Sequence, residues 1–173
     1  MKNLYAKINA LVKVYVEKRV ADELRIAQLK IEDLTPLYIL IKKSEGCRLM
    51  PYLCPAGVWT CGYGATGWGV VPGRAWTQQQ AEVRLKKDAE KFVAGVKQLC
   101  PDIIDNNLRV CAISDFAYNL GLGNLKSSTL RKKINSQAYD EVPAQLRRWV
   151  YAGGRKLRGL IIRRNEEILL WNK

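Results

Sequence analysis

The 173-residue sequence contains no histidine. That removes the side chain which titrates near neutrality, and with it any Ser-His or Cys-His dyad; acid–base chemistry must come from carboxylates, thiols or hydroxyls. Cysteines are few and odd in number (Cys47, Cys54, Cys61, Cys100, Cys111), with no CxxC pair. A disulfide framework is usually even and dense, so the chain reads as one made in a reducing compartment. Without paired close spacings there is no structural zinc pattern, and no metal or cofactor is expected. No secretory signal is expected either: MKNLYAKINALVKVYVEKR has neither an unbroken apolar stretch nor a small-residue cleavage site. The longest charge-free run, Leu49 to Gly73, holds six glycines and three prolines, which excludes a membrane helix of ~20 apolar residues.

Acidic residues are scarce too, 16 against 29 Lys and Arg, for a net charge of +13. The excess concentrates between Lys126 and Arg164, where eleven Lys or Arg face only Asp140 and Glu141. Such a run is a solvated surface or a face for a polyanion: nucleic acid, anionic membrane or acidic wall polymer. No RNP, zinc-finger or helix-turn-helix pattern accompanies it, so no specific nucleic-acid partner is expected. An apolar content of 48% and this length suit one domain with a sizeable core.

Along the chain, apolar spacing predicts an amphipathic N-terminal helical extension over 1–34, as a packing face or a basic membrane-touching helix, ahead of a domain from 35 to 173. Thr35-Pro36 reads as an N-cap and first-turn proline for a helix through about Ser44. Glu45 then stands at its C-terminal end, where the helix dipole opposes the ionised carboxylate, a useful bias for a general acid. Turns are expected at Pro51 and Pro55, and strands in VWTCGY and WGVV, forming a small antiparallel sheet. Thr77 and Gln80 make a capping box for a helix to about Leu99, with Val83, Phe92 and Val96 inside. An apolar helix over 108–120 is stopped by Gly121 and Gly123, and Ser127 or Ser128 caps the next. Helices over 138–151 and about 157–171 complete an α+β chain, a small sheet lobe beside a helical lobe.

Glu45, Cys54 and Thr60 stand nine and six residues apart, with GVWTCGYG spanning the third. This pattern resembles the catalytic residues of phage-type lysozymes, the endolysins of glycoside hydrolase family 24, where the middle residue is usually Asp and sometimes Cys. FAYNLGLGNLKSSTLRKKIN (116–135) is similar to that family's helix-turn-helix segment. WVYAGGRKLRGLIIRRNEE (149–167) resembles its C-terminal block. Together they cover roughly 36–173.

The resemblance implies a lysozyme-like two-lobed fold and hydrolysis of the β-1,4 bond between N-acetylmuramic acid and N-acetylglucosamine in peptidoglycan. It makes Glu45 the general acid, with Cys54 and Thr60 steering a water on the opposite sugar face. That is the inverting arrangement, whose catalytic groups sit ~6.5–9.5 Å apart. Thr66, Tyr118, Asn119 and Thr129 match sugar-lining positions. Ala65 departs from the family, which commonly has His there. A lytic transglycosylase on the same bond and a non-catalytic wall-binding protein are the alternative readings. The expected route is synthesis in the host cytoplasm, then release to the wall through a holin.

Overall fold

The computed structural model describes residues 12–13, 15–19, 33–54 and 56–173. The chain divides into two units, Met1–Asp33 and Leu34–Lys173. In the first, residues 12–13 and 15–19 are helical, and the remainder of the expected N-terminal helix lies outside the described residues.

Helix α1, Thr35–Glu45, begins one residue earlier than the sequence suggests. Leu34, not Thr35, occupies the N-cap, because Tyr38 N–H already bonds the Leu34 carbonyl at 3.0 Å. Pro36 sits in the first turn, where its missing N–H costs nothing. Leu37, Leu40 and Ile41 bury one face, and Gly46, at φ +65°, ends the helix immediately after Glu45.

Three antiparallel strands follow in the order β1 (Arg48–Leu53), β2 (Trp59–Gly62), β3 (Ala65–Thr66). Pro51 is inside β1 rather than in a turn, and the β1–β2 register shifts between Arg48 and Tyr52 around it. A proline has no ladder N–H to give, so the pairing slips there. WGVV is not a strand: residues 68–71 form a turn and loop, and the third strand is the shorter Ala65–Thr66. Two glycines at positive φ in this loop, Gly67 and Gly69, break any ladder.

Helix α2, Gln78–Leu99, has the expected capping box between Thr77 and Gln80. Its buried stripe is Ala81, Leu85, Ala89, Val93 and Val96. Val83 is 62% exposed, a correction forced by helical phase, since it points away from that stripe. Helix α3, Asn107–Leu120, is buried continuously from Val110 to Ala117 and forms the centre of the helical lobe. Apolar and small residues on every side, with only Ser114 and Asp115 polar among the buried ones, place this stretch in the core. Burial of a side chain such as Phe116 contributes ~1.5–3 kcal/mol.

Gly121 ends α3, but Gly123 lies inside α4, Leu122–Ser127. Gly95 lets α4 come close, for a Cβ there would collide with the Leu122 side chain. Ser128 caps α5, Thr129–Asn135, accepting Arg131 N–H at 3.0 Å. The predicted helix over 138–151 is instead a 3₁₀ turn at Tyr139–Glu141 and a short α6, Val142–Leu146. A hairpin, β4 (Tyr151–Ala152) and β5 (Arg155–Lys156), turns through Gly153 and Gly154 at positive φ. Helix α7, Arg158–Trp171, closes the unit.

Candidate active site

Glu45 is the last residue of α1, so its side chain leaves the helix toward the sheet. The turn joining β2 to β3, Tyr63-Gly64, passes beneath it. A Cβ on Gly64 would stand 3.2 Å from Glu45 Oε2, and Gly64 has φ +83°. This approach therefore needs glycine on two counts, space and backbone conformation. Tyr63 is fixed at both ends: its carbonyl accepts from Tyr118 Oη at 2.7 Å, and its hydroxyl donates to Glu82 at 2.8 Å. Lys42 pairs with Glu82 at 2.6 Å and holds that carboxyl below its ordinary range. The turn under Glu45 is thus tied to α1, α2 and α3 together.

Thr60 lies four residues before Gly64 on β2, with its side chain buried. Cys54 follows β1, in a turn closed by Cys54 N–H to the Val58 carbonyl at 3.0 Å and Gly57 N–H to the Cys54 carbonyl at 2.8 Å. The Cys54 thiol is shifted below its ordinary range by hydrogen bonds from the backbone at Val58 and Ala56, with a smaller contribution from the Thr60 hydroxyl. Cys61 and Cys100 go the opposite way; burial raises Cys61 and pushes Cys100 up to about 12. Thr60 Oγ1 also donates to the Val58 carbonyl at 3.0 Å. One hydroxyl proton serves one acceptor at a time, so the Val58 carbonyl and the Cys54 sulfur compete for it.

Behind Glu45 is a buried ion cluster which sequence reading missed. Arg163 on α7 donates from an η nitrogen to Glu45 Oε1 at 2.5 Å. Its Nε and its other η nitrogen fork onto Asp115 of α3 at 2.8 and 2.9 Å. Arg164 pairs with Glu167 at 2.5 Å and reaches Asn119 Oδ1 at 3.2 Å. Asp115, Arg164 and Glu167 are wholly buried, and Arg163 is 4% exposed. Burial, reinforced by the Asp115 charge, raises the Glu167 carboxyl well above its ordinary value. Asp115 and its partners keep Arg163 firmly protonated against its own burial. These arginines were counted in the basic surface run, and the structure removes both from it. The available signal was their setting, RRNEE between Ile161-Ile162 and Ile168-Leu169-Leu170 on one helix.

Thr60 and Cys54 share the β1–β2 hairpin, while Glu45 reaches from the end of α1 to Gly64 in the β2–β3 turn that follows Thr60. Thr66 is the register partner of Thr60 on β3 and is exposed. Tyr118 is spent as a tether for Tyr63; burial first, then the charges of Asp88 and Glu45, raises its hydroxyl. Asn119 holds its carbonyl oxygen toward Arg164, which leaves its amide nitrogen as the donor for a ligand. Thr129 opens α5 and lines a polar hollow of about 390 Å³ with Ser127, Ser128, Gln145, Arg148 and Trp149.

Such a constellation has relatives. The family model for phage lysozyme matches residues 42–167. The SAR-endolysin of Bacteriophage PS119 is 40% identical over 134 residues, covering 75% of this chain and 78% of that protein. Among solved structures, the active form of the P1 phage endolysin Lyz aligns with a TM-score of 0.73 at 28% identity, over 88% of this chain and 92% of that one. The muramidase domain of SpmX from Asticaccaulis excentricus gives a TM-score of 0.73 at 26% identity, over 79% and 95%. The matched segment begins at Lys42 and ends at Glu167, enclosing the acid, the strands and the buried arginine pair, and on this ground the chain belongs to the phage lysozyme family.

Proposed function

We propose that this chain, a peptidoglycan hydrolase by its family, cleaves the muramic acid–glucosamine β-1,4 bond with Glu45 as acid and with Cys54 and Thr60 directing water. The observation that carries the assignment is the placement of the Glu45 carboxylate over Gly64, on the same hairpin as the Thr60 hydroxyl and next to the Cys54 turn.

Oε1 of Glu45 is occupied by Arg163, so Oε2 is the oxygen that carries the proton to the departing glycosidic oxygen. The Cys54 thiolate accepts a proton from the attacking water while Thr60 orients it; the water oxygen bonds to the anomeric carbon as the glycosidic bond breaks. Thr66, the Asn119 amide and Thr129 are the sugar contacts. The Lys and Arg side chains of 126–158 offer the anionic wall an attractive surface, so clearing should slow with added salt. Synthesis inside the host and release through a holin lesion belong to the same reading.

The test is turbidity clearing of permeabilised Gram-negative cells. Glu45→Gln is expected to abolish clearing, Cys54→Ala to cripple it and Cys54→Asp to preserve it. Muropeptides with reducing muramic ends are expected by mass spectrometry. Anhydro ends would instead make the enzyme a transglycosylase, and wall binding without any released ends would make it a binding protein.

A further inference from the structure

The loop 67–76 that replaces the expected strand is not loose. Arg84 on α2 clamps its start, donating to the Thr66 and Trp68 carbonyls at 2.7 and 2.6 Å, and is itself steadied by Asp88 at 2.8 Å. At the other end Trp76 Nε1–H returns to the Gly69 carbonyl at 3.2 Å, and Trp76 N–H bonds the Leu49 carbonyl at 2.8 Å. The result of this bracing is an indole held out in solvent: Trp68 is 88% exposed. Beside it lies a pocket of about 480 Å³ with Trp76 and Val83 as apolar wall, Gln79 and Gln80 as amides and Lys87 at the rim. The Lys87 ammonium stands 5.9 Å from the Trp68 ring.

We propose that this pocket is a second saccharide site, one that seats an N-acetylated hexose of the glycan strand against Trp68, outside the catalytic groove. The proposal rests on the wall polymer being the substrate. Its volume falls within the ~300–1,000 Å³ of small-ligand pockets, and its lining combines apolar walls with a few polar groups as such sites do. The face of a pyranose carries aliphatic C–H groups that pack on an indole, and its N-acetyl methyl fits an apolar wall such as that of Trp76 and Val83. Its hydroxyls and amide need donors and acceptors, which Gln79 and Lys87 supply. No lining residue is acidic, so the acidic stem peptides of the polymer meet attraction at Lys87 rather than repulsion.

Continuity with the groove supports the same occupant. Trp68 is two residues past Thr66, the register partner of Thr60, so the indole and the candidate catalytic strand belong to one short stretch of the sheet lobe. A braced loop pays little ordering entropy on binding, because the backbone that carries Trp68 is in place before the ligand arrives.

The experiment uses full-length protein with the Glu45→Gln change, so that the polymer is bound and not consumed. Sedimentation with purified peptidoglycan gives the retained fraction. Trp68→Ala is expected to weaken retention roughly tenfold, the loss for one aromatic contact of ~1.4 kcal/mol or more. Val83→Glu, on an exposed helix position, is expected to weaken it similarly by placing a carboxylate in the pocket. In a titration with tri-N-acetylchitotriose, the indole N–H resonance of Trp68, assigned by its absence in Trp68→Phe, should shift. Unchanged retention in both pocket variants overturns the proposal. So does a Trp68 resonance that ignores the sugar and shifts with phosphatidylglycerol vesicles, which would make this a membrane face. If wild-type protein released no sugar ends while Trp68 still governed retention, the catalytic reading would fail and this site would stand.

Discussion

Arg163 and Glu45, 118 residues apart in sequence, share a 2.5 Å hydrogen bond in which the guanidinium holds one oxygen of the carboxylate and leaves the other facing Gly64. Asp115 grips the same guanidinium from behind in a two-pronged contact. An arginine fork is planar and directional, so the acid is oriented by a buried group and not by solvent.

Arg163→Met should therefore leave Asp115 charged and unpaired in the core, at a cost of about 3–5 kcal/mol. Thermal denaturation measures this. Arg163→Lys retains a charge but cannot form the fork, and kcat should fall more than KM rises. If Arg163→Lys kept full turnover, orientation of Glu45 would not depend on the arginine.

Gly64→Ala puts a methyl group 3.2 Å from Glu45 Oε2 at φ +83°. The backbone cost is roughly 1–2 kcal/mol, and clearing should slow beyond what that loss of stability explains. Gly153→Ala is the control, with a positive φ of +56° and no neighbour within 4 Å. Equal activities for the two variants would show that the carboxylate tolerates the displacement.

In the proposed mechanism only the thiolate of Cys54 accepts the water's proton, so its ionisation sets a pH limb. The thiol is shifted below the ordinary value of 9.0, chiefly by the backbone hydrogen bond at Val58. Activity should rise with pH through that lowered value, and iodoacetamide labelling of Cys54, followed by peptide mass spectrometry, should show the same midpoint. Thr60→Val should move the midpoint up. Cys54→Asp should carry the lower limb into the carboxylate range. A labelling midpoint above 9.0 in the native enzyme would count against the thiolate.

The buried Glu167 carries a stability signature of opposite sign to most acids. Its carboxyl is raised above the ordinary 4.5 by burial, so the folded chain binds that proton more tightly than the unfolded one. Stability is fully present below about pH 4.5 and declines as pH rises through the folded value. Glu167→Gln cannot ionise, so its Tm should be flatter from about pH 4.5 toward neutrality and should gain on the parent at the upper end. Parallel Tm curves for the two proteins would reject this.

Local rules accounted for much of the fold. The capping box at Thr77 and Gln80 and the stop at Gly121 are contacts within a few residues and are found where the pattern puts them, and of the two candidate caps, Ser127 and Ser128, the second is used. Errors arose where one residue obeyed a distant partner. WGVV has strand composition, but Arg84 and Trp76 hold it as a braced loop. Val83 has core chemistry, yet the phase of α2 is set by what packs on Ala81 and Leu85. In the site, Glu45 at a helix end and its spacing to Cys54 and Thr60 were legible. The arginine behind it was hidden in a run of like charges.

The order of residues alone determined the capping box at Thr77, the helix stop at Gly121 and which acid stands at a helix terminus, because these depend on backbone chemistry over one or two turns. Only the folded chain decided that two of its many arginines are interior, that Tyr118 braces the Tyr63 turn, and that Trp68 is displayed rather than buried. Those outcomes depend on burial and on partners up to 118 residues away, and desolvation energy has no value until the third dimension excludes the water.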